Sequence, residues 1–249
     1  SVAQGWGREG ESWSFMEAMR SLGGPHWFAL GDGDLALHVL RTQRLRSGEA
    51  LSAIIADFAT AWRIKAKILP MSNDPVATRV QAEEGELEFQ QYFVARKCEP
   101  VVKAIRFHGA ASAQAAPGVL EALRDAHTRA ILIAPSNPFL SIDPILAVPS
   151  IRQALMQTDV PVIAVSPLVG GTAVKGPTAK LMRELGIEVS ATALVRHYGE
   201  LIDGMLIDER DGPAAFELAQ ARADTLMKTL DDRIRVARAA LELADSIRT

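Results

Sequence analysis

The second half of the chain alternates between short continuous apolar runs and amphipathic stretches. "AILIAP" (130–135), "PVIAVSP" (161–167), "IEVS" (187–190) and "GMLID" (204–208) read as strands. "PGVLEALRDA", "SIRQALMQ", "PTAKLMREL" and "TALVRHYG" carry the spacing of helices that bury one face, and a long amphipathic helix runs from about Asp231 to Ile247. Strands apolar at every position are buried on both faces. Alternated with helices, they predict a Rossmann-like, doubly wound, mostly parallel α/β sheet.

The first half is less regular. "MEAMRSLGGPHWFAL" predicts a short helix closed by Gly23 and Gly24, then a strand toward Leu30. "GDGD" (31–34) predicts a turn before the helix "LALHVLRTQRL". Ser47 is placed to cap a helix over "GEALSAIIADFATAW". "AKILPM" predicts a buried strand, and "VATRVQAEEGELEFQQYFVARK" predicts two strands joined at Glu84-Gly85. The expected organisation is one α/β domain over 1–249, with a β-rich subregion at 65–108.

Composition narrows the function classes. With 249 residues the chain is long enough to bury about 70–75% of its unfolded surface. A net charge of −3 argues against a nucleic-acid partner held by bulk electrostatics. The single cysteine, Cys98, excludes a disulfide framework and a cysteine-rich metal site, and fits a reducing cytoplasm. No run approaches the roughly 18 apolar residues of a membrane helix, so no membrane partner is expected. A homodimer is the base-rate expectation for oligomeric state.

Candidate chemistry gathers where strands end, because ligands of doubly wound sheets bind beyond the carboxyl edge. After "AILIA" comes a stiff polar corner with Ser136, Asn137 and Ser141 among Pro135, Pro138 and Pro144. It reads either as a preorganised ligand wall or as a rigid turn satisfied locally. After "PVIAV" comes Ser166, then a segment with Gly170, Gly171, Lys175, Gly176 and Lys180. Glycine backbone and two lysines suit a phosphate cradle; the plain alternative is a loop with solvated lysines. In "GDGDLALH", Asp32 and Asp34 suit Mg²⁺ binding or a helix start, with His38 one helical turn on. Asn73 and Asp74 of "PMSNDP" suit recognition of a polar ring edge, or simply a turn. No Ser-His-Asp order, His-rich metal spacing or G-x-G-x-x-G supports a hydrolase or dehydrogenase.

Taken together and in order, "WFALGDGDLALHVLRT", "ILPMSNDPVAT", "EGELEFQQYFV", "PSNPFLSIDPILAVP", "VIAVSPLVGGTAVKGPTAKLMRELG" and "ADTLM" resemble the 2-phospho-L-lactate transferase (CofD-like) family. The resemblance implies a Mg²⁺-dependent transferase of coenzyme F-420 biosynthesis. Its partners are a guanylylated phospho-acid and a deazaflavin precursor, whose terminal ribityl hydroxyl displaces GMP to form a phosphodiester. It assigns Asp32 and Asp34 catalytic roles, Asp32 as the metal ligand. It strengthens the phosphate reading of the segment 166–180, and with the residue readings above the expected substrate contacts are His38, Asn73, Asp74, Ser136, Asn137, Ser141, Ser166, Gly170, Gly171, Lys175, Gly176 and Lys180. Three departures stand out. The sequence begins after the family's usual Gly-rich strand-loop, Gly33 stands where Arg is common, and Asn73 stands where Asp is common. Competing expectations are a nucleotide-sugar or nucleotide-diphosphate binding regulator of the same fold, and a non-catalytic assembly partner.

Overall fold

The computed structural model describes residues 9–174 and 176–248. Three helices come first: α1 (Ser14–Ser21), α2 (Asp32–Arg46) and α3 (Leu51–Ala61). An antiparallel sheet follows, made of β1 (Ala77–Ala82), β2 (Gly85–Glu88) and β3 (Val102–His108) in the order β2-β1-β3. Then come α4 (Val119–Arg124), β4 (Ile131–Ile133), α5 (Asp143–Leu146), α6 (Pro149–Met156) and β5 (Val162–Val165). The small hairpin β6 (Leu168–Val169) and β7 (Thr172–Ala173) leads to α7 (Thr178–Glu184) and α8 (Ala191–Tyr198). Strands β8 (Gly204–Asp208) and β9 (Ala219–Ala223) precede the terminal helix α9 (Leu230–Arg248).

The central sheet has the order β4-β5-β8-β9, and every neighbouring pair is parallel. The apolar runs are explained by burial on both faces. Val162 and Ala164 of β5 and Met205 and Ile207 of β8 join a core with Ile151, Leu155, Leu181 and Leu194 from α6, α7 and α8. The alternate residues Ile163, Val165 and Leu206 meet Val236, Ala240, Leu243 and Ala244 of α9 on the opposite face. Gly204 lets α9 approach closely. A Cβ there would stand 2.9 Å from Ile163 Cδ1 and 3.1 Å from Ile247 Cδ1. The antiparallel sheet shares the first core through Val80 and Val102, joined by Tyr92 of the segment Gln91–Ala95. Among the described residues, no helix is long and apolar enough to cross a membrane.

Several local expectations are corrected. "GDGD" is the first turn of α2, where Asp32 and Asp34 sit favourably at the positive end of the helix dipole. Ser47 closes α2, its hydroxyl donating to Arg44 O at 2.7 Å; α3 starts at Leu51 without a cap from its own preceding residue. Instead the side chain of Asn73 reaches across, its Oδ1 accepting from Ser52 N at 2.8 Å. No strand forms near Leu30, in "AKILPM" or in "IEVS". None joins a strand ladder, although Met71 O of "AKILPM" accepts from Ala116 N at 3.0 Å. The β1–β2 turn is Glu83-Glu84, one residue earlier than expected, and Gln91–Ala95 continues as a wide helical turn rather than a strand.

Candidate functional site

All four strands of a parallel sheet end on the same side, and a polar residue stands at or shortly beyond each of those ends here. Asn137 follows β4, Ser166 follows β5, Asp208 closes β8 and Thr225 follows β9. Three of these four, Asn137, Ser166 and Thr225, line one cavity of about 200 Å³ with Thr178 of α7. Pro135, Pro167, Val169, Val174, Leu226 and Met227 supply its apolar walls.

The corner after β4 is rigid for a definite reason. Asn137 Oδ1 accepts from Phe139 N and Leu140 N, both at 3.0 Å, so it starts the turn Pro138–Ile142. Those two donors fix which end of the amide is oxygen. Asn137 Nδ2 is then left buried without a partner. Unpaired buried donors are costly, so this N–H₂ is suited to an acceptor brought by a ligand. Ser166 is 2% exposed. Its Oγ accepts from Leu168 N at 3.2 Å, which leaves the hydroxyl proton to donate elsewhere.

The wall opposite is held by charge. Asp208 is fully buried and accepts five hydrogen bonds. Its Oδ1 takes Arg210 N at 2.9 Å and Arg210 Nε at 2.7 Å; its Oδ2 takes Arg210 Nη2 at 2.9 Å, Thr225 N at 2.8 Å and Thr225 Oγ1 at 2.9 Å. Arg210 also pairs with Asp224, and Arg235 donates to Asp224 O at 3.1 Å and Leu226 O at 3.3 Å. Burial pushes the Asp208 carboxyl up. The Arg210 guanidinium and the Thr225 N–H outweigh that and hold it well below the usual carboxylate range. Because the folded value lies below the unfolded one, this stabilisation is complete above the ordinary Asp range. It is lost as pH falls below about 4. Acid unfolding followed by circular dichroism should therefore be less steep in Asp208→Asn than in the parent chain.

The other expected residues lie elsewhere. Asp32 turns both oxygens to α1, taking Ser12 Oγ at 2.7 Å, Ser14 N at 3.1 Å and Phe15 N at 3.1 Å. These bonds, the Ser12 hydroxyl foremost, lower its pKa. Asp34 stands in the same first turn of α2, and neither aspartate lines the cavity. His38 contacts Arg41 Nη2 through Nδ1 at 2.8 Å on an open face of α2, and burial and Arg41 lower its pKa. Asn73 and Asp74 border a separate groove beside Leu45 and Leu51; Asp74 Oδ2 accepts from Gln114 N at 2.8 Å. Ser136 and exposed Ser141 lie on the corner without lining the cavity. Gly170 and Gly171, with φ of 60° and 70°, make the tight β6–β7 turn, and Gly171 N donates to Asp211 Oδ1 at 2.8 Å. Gly176 is exposed just before α7. Lys175 lies outside the described residues.

Lys180 faces away from the cavity. Its Nζ donates to Pro100 O at 2.8 Å and pairs with Glu184 at 2.5 Å, over the Tyr92 ring. Glu184 in turn accepts from Val102 N at 3.1 Å, so the pair ties α7 to the start of β3. Lys180→Ala should therefore lower stability by about 1 kcal/mol in urea titration and leave nucleotide affinity, by calorimetry, within about twofold.

Sequence reading missed Thr178, Asp208 and Thr225. The available signal was the one that found Ser166, a polar residue directly after an apolar strand, and "GMLID" carries it. For metal, Asp32 is committed to α1, and among the described residues no group of three His, Cys, Asp or Glu is placed to hold an ion.

This arrangement has relatives. The family model described as 2-phospho-L-lactate transferase CofD matches residues 10–244. A phosphoenolpyruvate transferase of Streptomyces griseus subsp. griseus is 43% identical over 256 residues, covering 98% of this chain and 80% of that protein. A 2-phospho-L-lactate transferase of Methanosarcina mazei is 38% identical over 231 residues, covering 91% and 75%. Among solved structures, protein BH3568 of Bacillus halodurans, a upf0052-family member, aligns with a TM-score of 0.59 at 19% identity, covering 86% of this chain and 72% of that one. That likeness is one of fold. The sequence match runs through every strand-end segment that builds the cavity, and the chain belongs to the 2-phospho-L-lactate transferase CofD family.

Proposed function

We propose that the chain transfers a phospho-acid group, phospholactyl, phosphoenolpyruvyl or phosphoglyceryl, from a guanylylated donor to the deazaflavin precursor of coenzyme F-420. The ribityl hydroxyl oxygen attacks the phosphorus of the phospho-acid. The P–O bond to the GMP phosphate breaks, GMP leaves with the electron pair, and the hydroxyl proton is released. The observation that carries this reading is a cavity at the carboxyl edge of the sheet lined by Asn137, whose buried Nδ2 has no hydrogen-bond partner. Phosphoryl transfer depends more on positioning and charge neutralisation than on a strong nucleophile. Asn137 and Ser166 would position the nucleotide portion of the donor, while Pro135, Pro167 and Leu226 exclude water. Lys175 enters through its charge in the Gly-rich segment. Mg²⁺ enters as counter-ion of the donor's diphosphate, with no described side chain assigned to it. The relatives' printed names, phosphoenolpyruvate transferase and 2-phospho-L-lactate transferase, support the class of group transferred. Incubation with Mg²⁺, deazaflavin precursor and each guanylylated phospho-acid should release GMP in step with phosphodiester formation. Binding of guanine nucleotide without any GMP release would instead favour a binding protein.

A further inference from the structure

The two sides of the cavity differ in hydrogen-bond polarity. On one side Asn137 Nδ2 is an unpaired donor and Ser166 has a hydroxyl proton left to give. On the other, Thr225 has already spent both of its protons. Its N–H and its hydroxyl both donate to Asp208 Oδ2, at 2.8 and 2.9 Å. A hydroxyl donates once, so Thr225 Oγ1 has only lone pairs to offer a ligand. Asp208 cannot release it easily, because four of its bonds converge from a charged arginine and two backbone N–H groups. The segment Asp224–Met227 is further fixed by Arg235 through Asp224 O and Leu226 O.

We infer that Thr225 is a specificity-determining residue that accepts a hydrogen bond from a neutral donor of the ligand, a sugar hydroxyl or a base N–H, and that Asp208 is the positioning residue that enforces this polarity. The inference rests on the nucleotide reading of the cavity and adds an orientation to it. Acceptor-rich phosphate groups belong on the Asn137–Ser166 side, and the nucleoside belongs on the Thr225 side. A phosphate oxygen against Thr225 would face a lone pair with no proton between them.

Two probes separate the sides. GDP carries both phosphates and nucleoside donors. Inorganic pyrophosphate carries phosphates alone. Calorimetry with the whole chain should show Thr225→Val, which removes Oγ1 at nearly constant shape, weakening GDP about tenfold while leaving pyrophosphate within about twofold. Thr225→Ser, which keeps the oxygen, should restore GDP affinity. Asp208→Asn should lower the melting temperature and also lower the ratio of GDP to pyrophosphate affinity. Unchanged GDP affinity in Thr225→Val, or equal weakening of both probes, would overturn the inference, as would an unchanged ratio in Asp208→Asn. If the parent chain bound neither probe, the nucleotide reading itself would fall, and the assignment of Thr225 with it.

Discussion

Asn137→Asp is expected to lower GDP affinity about 100-fold, with only a modest fall in melting temperature from burying an unpaired carboxylate oxygen. The substitution separates two roles that one side chain plays. The carboxylate keeps an oxygen where Oδ1 accepts from Phe139 N and Leu140 N, so the turn Pro138–Ile142 retains its start. It replaces Nδ2, the buried unpaired donor, with a negative oxygen. Against a diphosphate this removes a charge-assisted bond and adds like-charge repulsion. Asn137→Ala removes both roles, so it should lose affinity and also about 1 kcal/mol of stability. Calorimetry and thermal melts on the pair check this. If Asn137→Asp bound GDP as the parent does, Nδ2 would have no ligand to serve and the cavity would lose its principal contact.

The largest stability effect is expected at the centre of the sheet. Leu206→Ala should cost about 3–4 kcal/mol, read from urea midpoints at an unchanged slope. Leu206 is fully buried between Ile163 and Val165 of β5 and the apolar stripe Val236, Ala240, Leu243 and Ala244 of α9. A packed helix on one side and a continuous sheet on the other leave little room for collapse into the hole. The backbone of the same residue bears on the site, since Leu206 O accepts from Ser166 N at 2.9 Å. That bond is main-chain and survives truncation, so GDP affinity of the remaining folded protein should stay near the parent value. A cost below about 1 kcal/mol would mean that α9 does not cover this face.

How much of this was legible depends on how many neighbours each segment has. "VIAV" announced itself because β5 has a strand on each side and a helical layer on each face, which leaves no position for a polar residue. β9 was invisible. "AQARA" pairs only with β8 and carries small residues in place of an apolar run. β3 alternates as an edge strand should, in "VKAIRFH", but its charged Lys103 and Arg106 weaken the apolar signal. "AKILPM" misled in the opposite sense, since Ile68 is 45% exposed and the segment meets no strand. The cavity lining followed the strands. Asn137 and Ser166 line it beyond strands that were legible, and Thr225 lines it beyond β9, which was not. Lys180 could not be placed from sequence, because whether its ammonium faces a cavity or the Pro100 carbonyl depends on where β3 packs against α7.

The cavity between Asn137, Ser166 and Thr225 is proposed as the nucleotide site of a phospho-acid transferase. A crystal structure of the chain with GDP tests it most directly. GDP is expected in this cavity, with a phosphate oxygen within hydrogen-bond distance of Asn137 Nδ2 and a nucleoside donor on Thr225 Oγ1. GDP bound at another place on the chain, with Asn137 Nδ2 still unpaired, would contradict it.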